Sequence, residues 1–442
     1  MAYAVLPLLL AHLALLVTFD LAKRPYLTIF FLAAAFLSYW RATQRLESQV
    51  TASTLLLVAV LLRLLMLPLP PTLSDDTLRY VWDGRVVNAG FNPYLLAPEA
   101  PELEPLRDEL WQQMPHQEVQ TVYPPLALAL FSSATWLPRP LLGVKILLCF
   151  VELVGCWLLI LLARRLQLPD GRAAWYCWNP LVTLEVAGMG HVDAMVVTAM
   201  VASVLLFGDT LRRTAFAGAA AAAGVLAKLV PLIAFPLWAR HSGRPMAFLA
   251  AALGLVACAM LPVAVSVGGV PPGLVTYGIS WEFNGPLYEP LWRLFDRVEL
   301  ADRVKGGLDL LKHWTGFHDL WNRFYPFVYP QLLAKILLAG VFGICVLINL
   351  RAGHPVIGSG RLFGCLVLCA ATVYPWYLLW VLPWAALARH HAWLALSASI
   401  TICYLPQTLE LPLFPWFYLA IWVPFFALLI SSKWNLEPQT IV

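Results

Sequence analysis

The chain has 442 residues, of which 61% are hydrophobic and only 12% are charged, and its formal net charge is +4. A soluble domain typically carries about 25% charged residues, so a water-soluble fold of this composition has more apolar surface than it can bury. The absence of any run of lysine and arginine also argues against nucleic-acid binding. The composition therefore predicts an integral membrane protein.

Apolar runs recur along the chain at lengths close to that of a membrane-spanning helix, which needs about 20 residues. The candidate segments are 3–19, 26–40, 52–70, 122–138, 141–163, 173–188, 192–208, 214–238, 246–268, 329–350, 362–374, 376–388, 392–405 and 415–431. Several are short or contain proline, which leaves about 11–14 crossings. The first run lacks a preceding basic region, so we expect a retained span instead of a signal peptide. We predict an all-α polytopic transmembrane helix bundle that forms one membrane domain over residues 1–442.

Two long polar segments, 71–121 and 269–328, interrupt the apolar runs. Basic pairs such as Arg164–Arg165 and Arg212–Arg213 mark the cytoplasmic side by the positive-inside rule. That rule puts both polar segments outside. We expect them to form external loops with interfacial helices packed over one end of the bundle.

The charge pattern conflicts with full crossings in two places. Segments 122–138 and 141–163 cannot both cross if 71–121 is outside and Arg164 is inside. Segment 214–238 has basic residues at both ends and a break at Lys228–Pro231, which favours a re-entrant hairpin.

A pair of carboxylates, Asp75 and Asp76, opens the first polar segment directly after a proline-rich break. Desolvation near hydrocarbon raises the pKa of a carboxylate unless a cation pairs with it. A side chain that acts as a general base needs such tuning of its pKa. The alternative is that one aspartate only caps the next helix. Asp83 and Arg85, farther along, are also consistent with a surface ion pair.

The polar residues belong to an ordered series of short motifs. The series is Asp76…Arg79-Tyr80…Trp82-Asp83-Gly84…Gly90…Asn92-Pro93-Tyr94…Tyr123-Pro124-Pro125, then Trp178-Asn179-Pro180 with Glu185, Gly190-His191-Val192-Asp193, Gly224…Lys228-Leu229-Val230-Pro231, Tyr277…Trp281-Glu282-Phe283-Asn284 and Pro375-Trp376-Tyr377. It resembles the C-type (GT-C) membrane glycosyltransferases, and more narrowly the bacterial polyprenyl-phosphate-mannose-dependent mannosyltransferases.

The resemblance implies an acidic catalytic base at the start of the first external loop. Here that residue is Asp76, with Asp75 as the alternative. Many members carry an Asp-Glu or Glu-Asp pair where this chain has two aspartates, so either aspartate can be aligned with the base. It further implies inverting transfer of a sugar, a hexose such as mannose, from a polyprenyl-phosphate donor. The acceptor would be a glycolipid or glycan hydroxyl at the external face of the cytoplasmic (inner) membrane.

Lys228 is the first candidate for binding the donor phosphate. An ammonium in an apolar segment needs a partner, and a phosphate suits its point charge. The alternative is a lysine that only snorkels towards water. Arg79 and Arg85 are competing candidates for the same phosphate.

The candidates for acceptor or sugar binding are His191, Asp193, Glu282, Asn284 and Tyr123. His191 and Asp193 flank a turn between apolar segments, where they either bind a ligand or satisfy each other. Glu282 and Asn284 alternate with aromatic residues, as in a sugar subsite, although interfacial anchors have the same pattern.

Three further ionisable residues, Lys145, Glu152 and Glu185, lie in or near apolar segments and are expected to pair with one another. No metal-ligand spacing and no glycine-rich nucleotide loop is present in the sequence. The resemblance implies that no metal or other cofactor is needed, with a divalent cation at Asp75 and Asp76 as the alternative. The rival function is a lipid-linked-sugar flippase or secondary transporter, which would place ionisable pairs on broken helices as Lys228–Pro231 partly does.

Overall fold

Helices account for almost all regular structure in the computed structural model, which describes residues 2–436. Within these residues, the strand-like pairing is limited to isolated bridges from Phe283 and Asn284 to Thr372. The predicted all-α fold is confirmed.

The first half of the chain forms helices that range in length from 4 to 26 residues. They are α1 (Ala2–Thr18), α2 (Pro25–Leu46), α3 (Ala52–Met66), α4 (Asp76–Asn88), α5 (Glu109–Gln113), α6 (Pro125–Ala134), α7 (Pro140–Arg165), α8 (Ala174–Cys177), α9 (Pro180–Thr183), α10 (Asp193–Leu205), α11 (Leu211–Ala227) and α12 (Phe235–His241). Many begin at a proline, whose missing N–H is not needed in the first helical turn.

The second half continues this pattern. Its helices are α13 (Pro245–Val267), α14 (Pro272–Ser280), α15 (Tyr288–Arg297), α16 (Leu300–Thr315), α17 (His318–Asn322), α18 (Pro330–Asn349), α19 (Pro355–Cys369), α20 (Leu382–Ala388), α21 (His391–Ser399), α22 (Tyr404–Leu409) and α23 (Trp416–Ser431). A 3-10 turn, Pro375–Trp380, precedes α20.

Four helical stretches in the described part of the chain are long and apolar enough to cross a membrane. They are Pro140–Arg165, Pro245–Val267, Pro330–Asn349 and the continuous run His391–Leu409. The other apolar helices have 10–17 residues. The chain is therefore a membrane protein, and the number of crossings stays a prediction.

The conflict between segments 122–138 and 141–163 has a structural explanation. Only ten residues of the first segment are helical, as α6, and at about 1.5 Å per residue they span about 15 Å. A hydrocarbon core is about 30 Å thick, so α6 is too short to cross it. α7 has 26 residues and reaches the required length.

Two predicted spans are interrupted. Segment 173–188 consists of α8, α9 and a short π-helix, Leu184–Met189, and is buried throughout. α11 ends at Ala227, and a 3-10 turn follows at Val230–Ala234, so the predicted break at Lys228–Pro231 is confirmed. Both interruptions place helix ends and polar side chains in the interior of the bundle.

Two close contacts fix α4 against this interior. Gly84 packs on α6, and a Cβ atom at this position would lie 2.5 Å from the Phe131 carbonyl oxygen. Lys145 of α7 donates to the carbonyls of Leu67 and Leu69, just beyond the end of α3. The segment that leads into α4 is thereby tied to α7.

Candidate active site

Asp76 is the first residue of α4, at the point where the first polar segment meets the bundle. Its side chain is half-buried, whereas Asp75 is exposed. Asp75 occupies the capping position but its side chain makes no hydrogen bond to the helix end. Instead, the hydroxyl of Ser74 accepts from the Asp76 backbone N–H at 3.3 Å. The capping explanation of the aspartate pair is therefore wrong.

The environment of Asp76 raises its pKa to about 7. Burial is the main cause, the charges of Asp75 and Asp193 add to it, and the ammonium of Lys228 opposes it. The hydroxyl of Tyr80, one helical turn on, donates to Asp76 Oδ2 at 3.3 Å. A carboxyl group with a pKa near 7 and one free oxygen has the properties of a general base.

Lys228 and Asp193 form the second part of the site. Lys228 Nζ lies 3.0 and 3.1 Å from the two carboxylate oxygens of Asp193. Trp380 Nε1 donates to Asp193 Oδ1 at 2.6 Å, which fixes the carboxylate from the opposite half of the chain. The ammonium also faces the rings of Tyr377 and Trp380, 4.7 and 5.1 Å from their centroids. The side chain of Lys228 is 23% exposed, while that of Asp193 is fully buried.

The turn before α10 brings Glu185 and His191 next to α4. Gly190 has a φ of +81°, and a Cβ there would lie 2.9 Å from Lys145 Cγ and 3.1 Å from Thr77 Oγ1. His191 Nε2 lies 3.1 Å from Ser74 Oγ. Position 190 thus requires glycine, because its φ is positive and because the neighbouring side chains leave no space for a Cβ atom.

A column of stacked rings closes one side of the site. His191 stacks on Trp376 with a centroid distance of 3.8 Å, Trp376 on Tyr374 at 4.5 Å, and Tyr374 on Phe283 at 4.7 Å. The column connects the turn before α10 with the polar segment after α14. Next to it, the hydroxyls of Tyr277 and Tyr377 are hydrogen-bonded.

The two arginine candidates have other partners. Arg79 donates to Asp83 at 2.8 Å and to the carbonyls of Val119 and His116. Asp83 is buried and also accepts from Thr121, so the expected surface pair of Asp83 with Arg85 is wrong. Arg85 pairs with Asp108 at 2.7 Å.

The residues proposed for sugar binding lie in different environments. Tyr123 packs edge-on against Tyr80, 5.0 Å between centroids, beside Asp76. Glu282 is exposed and pairs with Lys335 at 2.9 Å. Asn284 is buried and accepts from Trp422 Nε1 at 2.8 Å. Tyr123 is therefore brought to the site, whereas Glu282 and Asn284 point to different neighbours.

The expected pairing of Lys145, Glu152 and Glu185 is wrong. Glu152 pairs with Arg63 at 2.7 Å in the bundle interior, and Lys145 binds carbonyls. Glu185 accepts from the hydroxyl of Tyr404 at 2.6 Å. Charge alone does not identify partners when the relative rotation of the helices is unknown.

Sequence reasoning missed four residues of the site: Ser74, Tyr80, Trp380 and Tyr404. Tyr80 had a local signal, since it follows Asp76 by one helical turn. Tyr404 had none, since 219 positions separate it from Glu185.

A family model described as alpha-(1->6)-mannopyranosyltransferase, N-terminal domain, matches residues 9–243, more than half of the chain. The chain belongs to this family. No curated protein and no solved structure matches it. The family confirms the resemblance to mannosyltransferases and makes this protein a glycosyltransferase with a sugar donor and an acceptor as its partners. It favours the enzyme over the flippase or transporter.

The matched region contains much of the candidate site. Asp76, Asp193 and Lys228 lie within it, and Trp376, Trp380 and Tyr404 lie beyond it. In the part of the chain that the structure describes, no three histidine, cysteine, aspartate or glutamate side chains are grouped as metal ligands.

Proposed function

We propose that this mannosyltransferase uses a polyprenyl-phosphate mannose donor and transfers the sugar, with inversion, to a hydroxyl of a glycolipid or glycan acceptor. The reaction would take place at the external face of the cytoplasmic membrane. The observation that carries the proposal is the half-buried carboxyl of Asp76, whose pKa burial raises to about 7, in the same site as the Lys228 ammonium that Asp193 holds.

Asp76 acts as the general base in this proposal. It takes the proton of the acceptor hydroxyl while the hydroxyl oxygen attacks the anomeric carbon. The bond between that carbon and the phosphate oxygen breaks, and the polyprenyl phosphate leaves with the electron pair. Attack opposite the leaving group inverts the anomeric configuration. Asp75 is exposed, whereas Asp76 is half-buried against the bundle, which supports Asp76 as the base.

Lys228 binds the donor phosphate. An ammonium has three donor hydrogens, and the two oxygens of Asp193 engage it from one side. Its partial exposure leaves room for a phosphate oxygen, whose developing charge it would stabilise as the bond breaks. Asp193 and Trp380 hold Lys228 in place. A lipid phosphate leaves as an anion, so the mechanism needs no strong general acid and no metal ion.

The arginines are weaker candidates for contact with the phosphate. Arg79 is 13% exposed and already has three acceptors. Each helical residue advances about 1.5 Å, so Arg85 lies on the order of 13 Å from Asp76 along α4. We propose that Arg85 contacts a more distant part of the donor or acceptor. Tyr123, beside Tyr80, is proposed to contact the acceptor sugar.

The test uses purified enzyme in lipid nanodiscs with radiolabelled polyprenyl-phosphate mannose and a glycolipid acceptor extract. We expect wild type to release polyprenyl phosphate, and Asp76→Asn to lose about 10²–10⁴-fold in turnover while it still binds donor. Asp75→Asn is the matched control and keeps most of its turnover. Normal turnover by Asp76→Asn would overturn the assignment of the base. The same assay is run with polyprenyl-phosphate glucose, and wild-type activity with that donor but not with the mannose donor would overturn the assignment of mannose.

A further inference from the structure

A buried chain of polar groups lies directly behind Asp76. Glu185 and His191 are fully buried, and Ser74 is nearly so. Tyr404 donates to Glu185 Oε1 at 2.6 Å, Glu185 Oε2 faces His191 Nδ1 at 3.5 Å, and His191 Nε2 lies 3.1 Å from Ser74 Oγ. Ser74 in turn accepts from the backbone N–H of Asp76. The chain thus runs from the bundle interior to the first residue of α4.

The direction of the hydrogen bonds follows from the donors and acceptors available. Glu185 Oε2 and His191 Nδ1 are buried and have no hydrogen-bond partner within the normal distance. With Glu185 ionised, a proton on Nδ1 points at the carboxylate, whereas a lone pair there would face it and be repelled. Nε2 is then the acceptor for the Ser74 hydroxyl. A serine oxygen that donates its proton still has lone pairs, one of which accepts from the Asp76 N–H.

The imidazole of His191 has no free edge for an acceptor sugar. Trp376 covers one face, and both ring nitrogens face partners in the chain. The backbone N–H of His191 also bonds to the Glu185 carbonyl at 2.9 Å. These contacts hold the ring in a single orientation.

We propose that His191 is a positioning residue that acts on Asp76 through Ser74, with Glu185 setting the tautomer of the imidazole. The proposal rests on Asp76 being the base and deepens that assignment. Since neither aspartate caps α4, Ser74 is the side chain that fixes the first N–H of this helix. Loss of the contacts between Glu185, His191 and Ser74 lets the first turn of α4 shift. A displacement of about 1 Å at a reacting group costs on the order of 10²-fold in rate.

The first experiment is a double-mutant cycle between His191→Phe and Ser74→Ala, with thermal stability measured for each variant. Phenylalanine keeps a ring for Trp376 but removes both nitrogens. We expect each single variant to lose about 10²-fold in kcat with the KM for donor and for acceptor little changed. The double variant should lose no more than the worse single, because both act through one connection. If the kcat losses of the single variants multiply in the double variant and the KM for acceptor rises, the proposal is overturned and His191 is a direct ligand of the sugar.

The second experiment uses conservative replacements that a purely structural role would not distinguish. Ser74→Thr keeps the hydroxyl and should recover most of the kcat lost in Ser74→Ala at equal thermal stability. Glu185→Gln keeps the shape but can present an N–H to His191, and we expect a kcat loss comparable to that of His191→Phe. If Asp76→Asn is inactive while the His191 and Ser74 variants turn over normally, the positioning role of His191 is wrong and the assignment of Asp76 as the base is retained. If Asp76→Asn is active, the proposed function itself is wrong.

Discussion

Lys228 Nζ lies 3.0 Å from Asp193 Oδ1, although 35 positions separate the two residues. A break in the helical structure begins at Lys228, and another precedes Asp193. The pair joins the end of α11 to the beginning of α10 inside the bundle. It combines a fully buried carboxylate with an ammonium that retains some access to a ligand. Mutations can therefore separate the contribution of this pair to the stability of the fold from its contribution to ligand binding.

Lys228→Met should destabilise the protein strongly, because it leaves Asp193 buried without a cation. Breaking a buried pair costs about 3–5 kcal/mol, and partial exposure of Lys228 favours the lower end. Lys228→Met/Asp193→Asn should regain much of this loss yet still fail to bind donor. Thermal unfolding and donor binding measure the two effects. Lys335→Met, which breaks the more exposed pair with Glu282, is the matched control and should cost less than about 1 kcal/mol. Equal losses in the two single variants would contradict this prediction.

The pH dependence of kcat/KM should report the ionisation of Asp76. Its carboxylate is the active form, so activity should rise with pH through about 7 and then level off. The Tyr80 hydroxyl lowers the pKa of Asp76, so Tyr80→Phe should move the rising limb to higher pH while keeping the ring stacked on Phe131. The charge of Asp75 raises that pKa, so Asp75→Asn should move the limb to lower pH. Initial rates between pH 5 and 9 test both shifts, and shifts in the same direction would argue against Asp76 as the titrating group.

Gly190→Ala should impair both stability and turnover. A non-glycine residue with positive φ costs about 1–2 kcal/mol, and the added methyl group would also push against Lys145 and Thr77. Gly90→Ala separates the two effects, since Gly90 has a φ of +82° but no atom within 4 Å of its added Cβ. We expect Gly90→Ala to show only the backbone cost and normal kcat. Thermal unfolding and kcat are measured for both, and a normal kcat in Gly190→Ala would show that the turn does not position the site.

Arg63→Met should reduce stability without a specific effect on catalysis. Arg63 and Glu152 are both buried, and their side chains are 2.7 Å apart. Neither side chain contacts a residue of the candidate site. Removal of the guanidinium leaves a buried carboxylate and should cost about 3–5 kcal/mol. Arg63→Met/Glu152→Gln should recover part of this loss. The melting temperature reports the change, and donor KM below the melting transition should stay at the wild-type value. A raised donor KM in the folded variant would connect this pair to the site.

Local sequence carries the ionisable candidates but not their partners. His191, Asp193 and Lys228 were predicted because each stands out against apolar neighbours, and that contrast is visible within a few residues. Asp76 was predicted from its position at the start of the first polar segment and from the resemblance to membrane glycosyltransferases. Their partners depend on how helices rotate and stack against one another. For this reason the pairing of Asp193 with Lys228, which joins two separate candidates, was not predicted.

The membrane segments show the same division between local and distant information. Helical content follows from apolar periodicity and proline positions, so the all-α fold was predictable. Helix length did not follow from hydropathy alone, because 122–138 is apolar throughout but helical only over Pro125–Ala134. Segment 173–188 is apolar since protein surrounds it on all sides, and hydropathy does not distinguish that burial from lipid.

The column of rings that begins at His191 has a consequence for how this protein can be recombined with relatives. The indoles of Trp376 and Trp380 and the phenol of Tyr404 lie after residue 243, yet they hold the imidazole and carboxylates contributed by the part that matches the family. A chimera that exchanges only residues 9–243 would separate these side chains from the rings that contact them. The candidate site is therefore built from side chains of both halves of the chain, and an exchange between relatives should transfer both halves together.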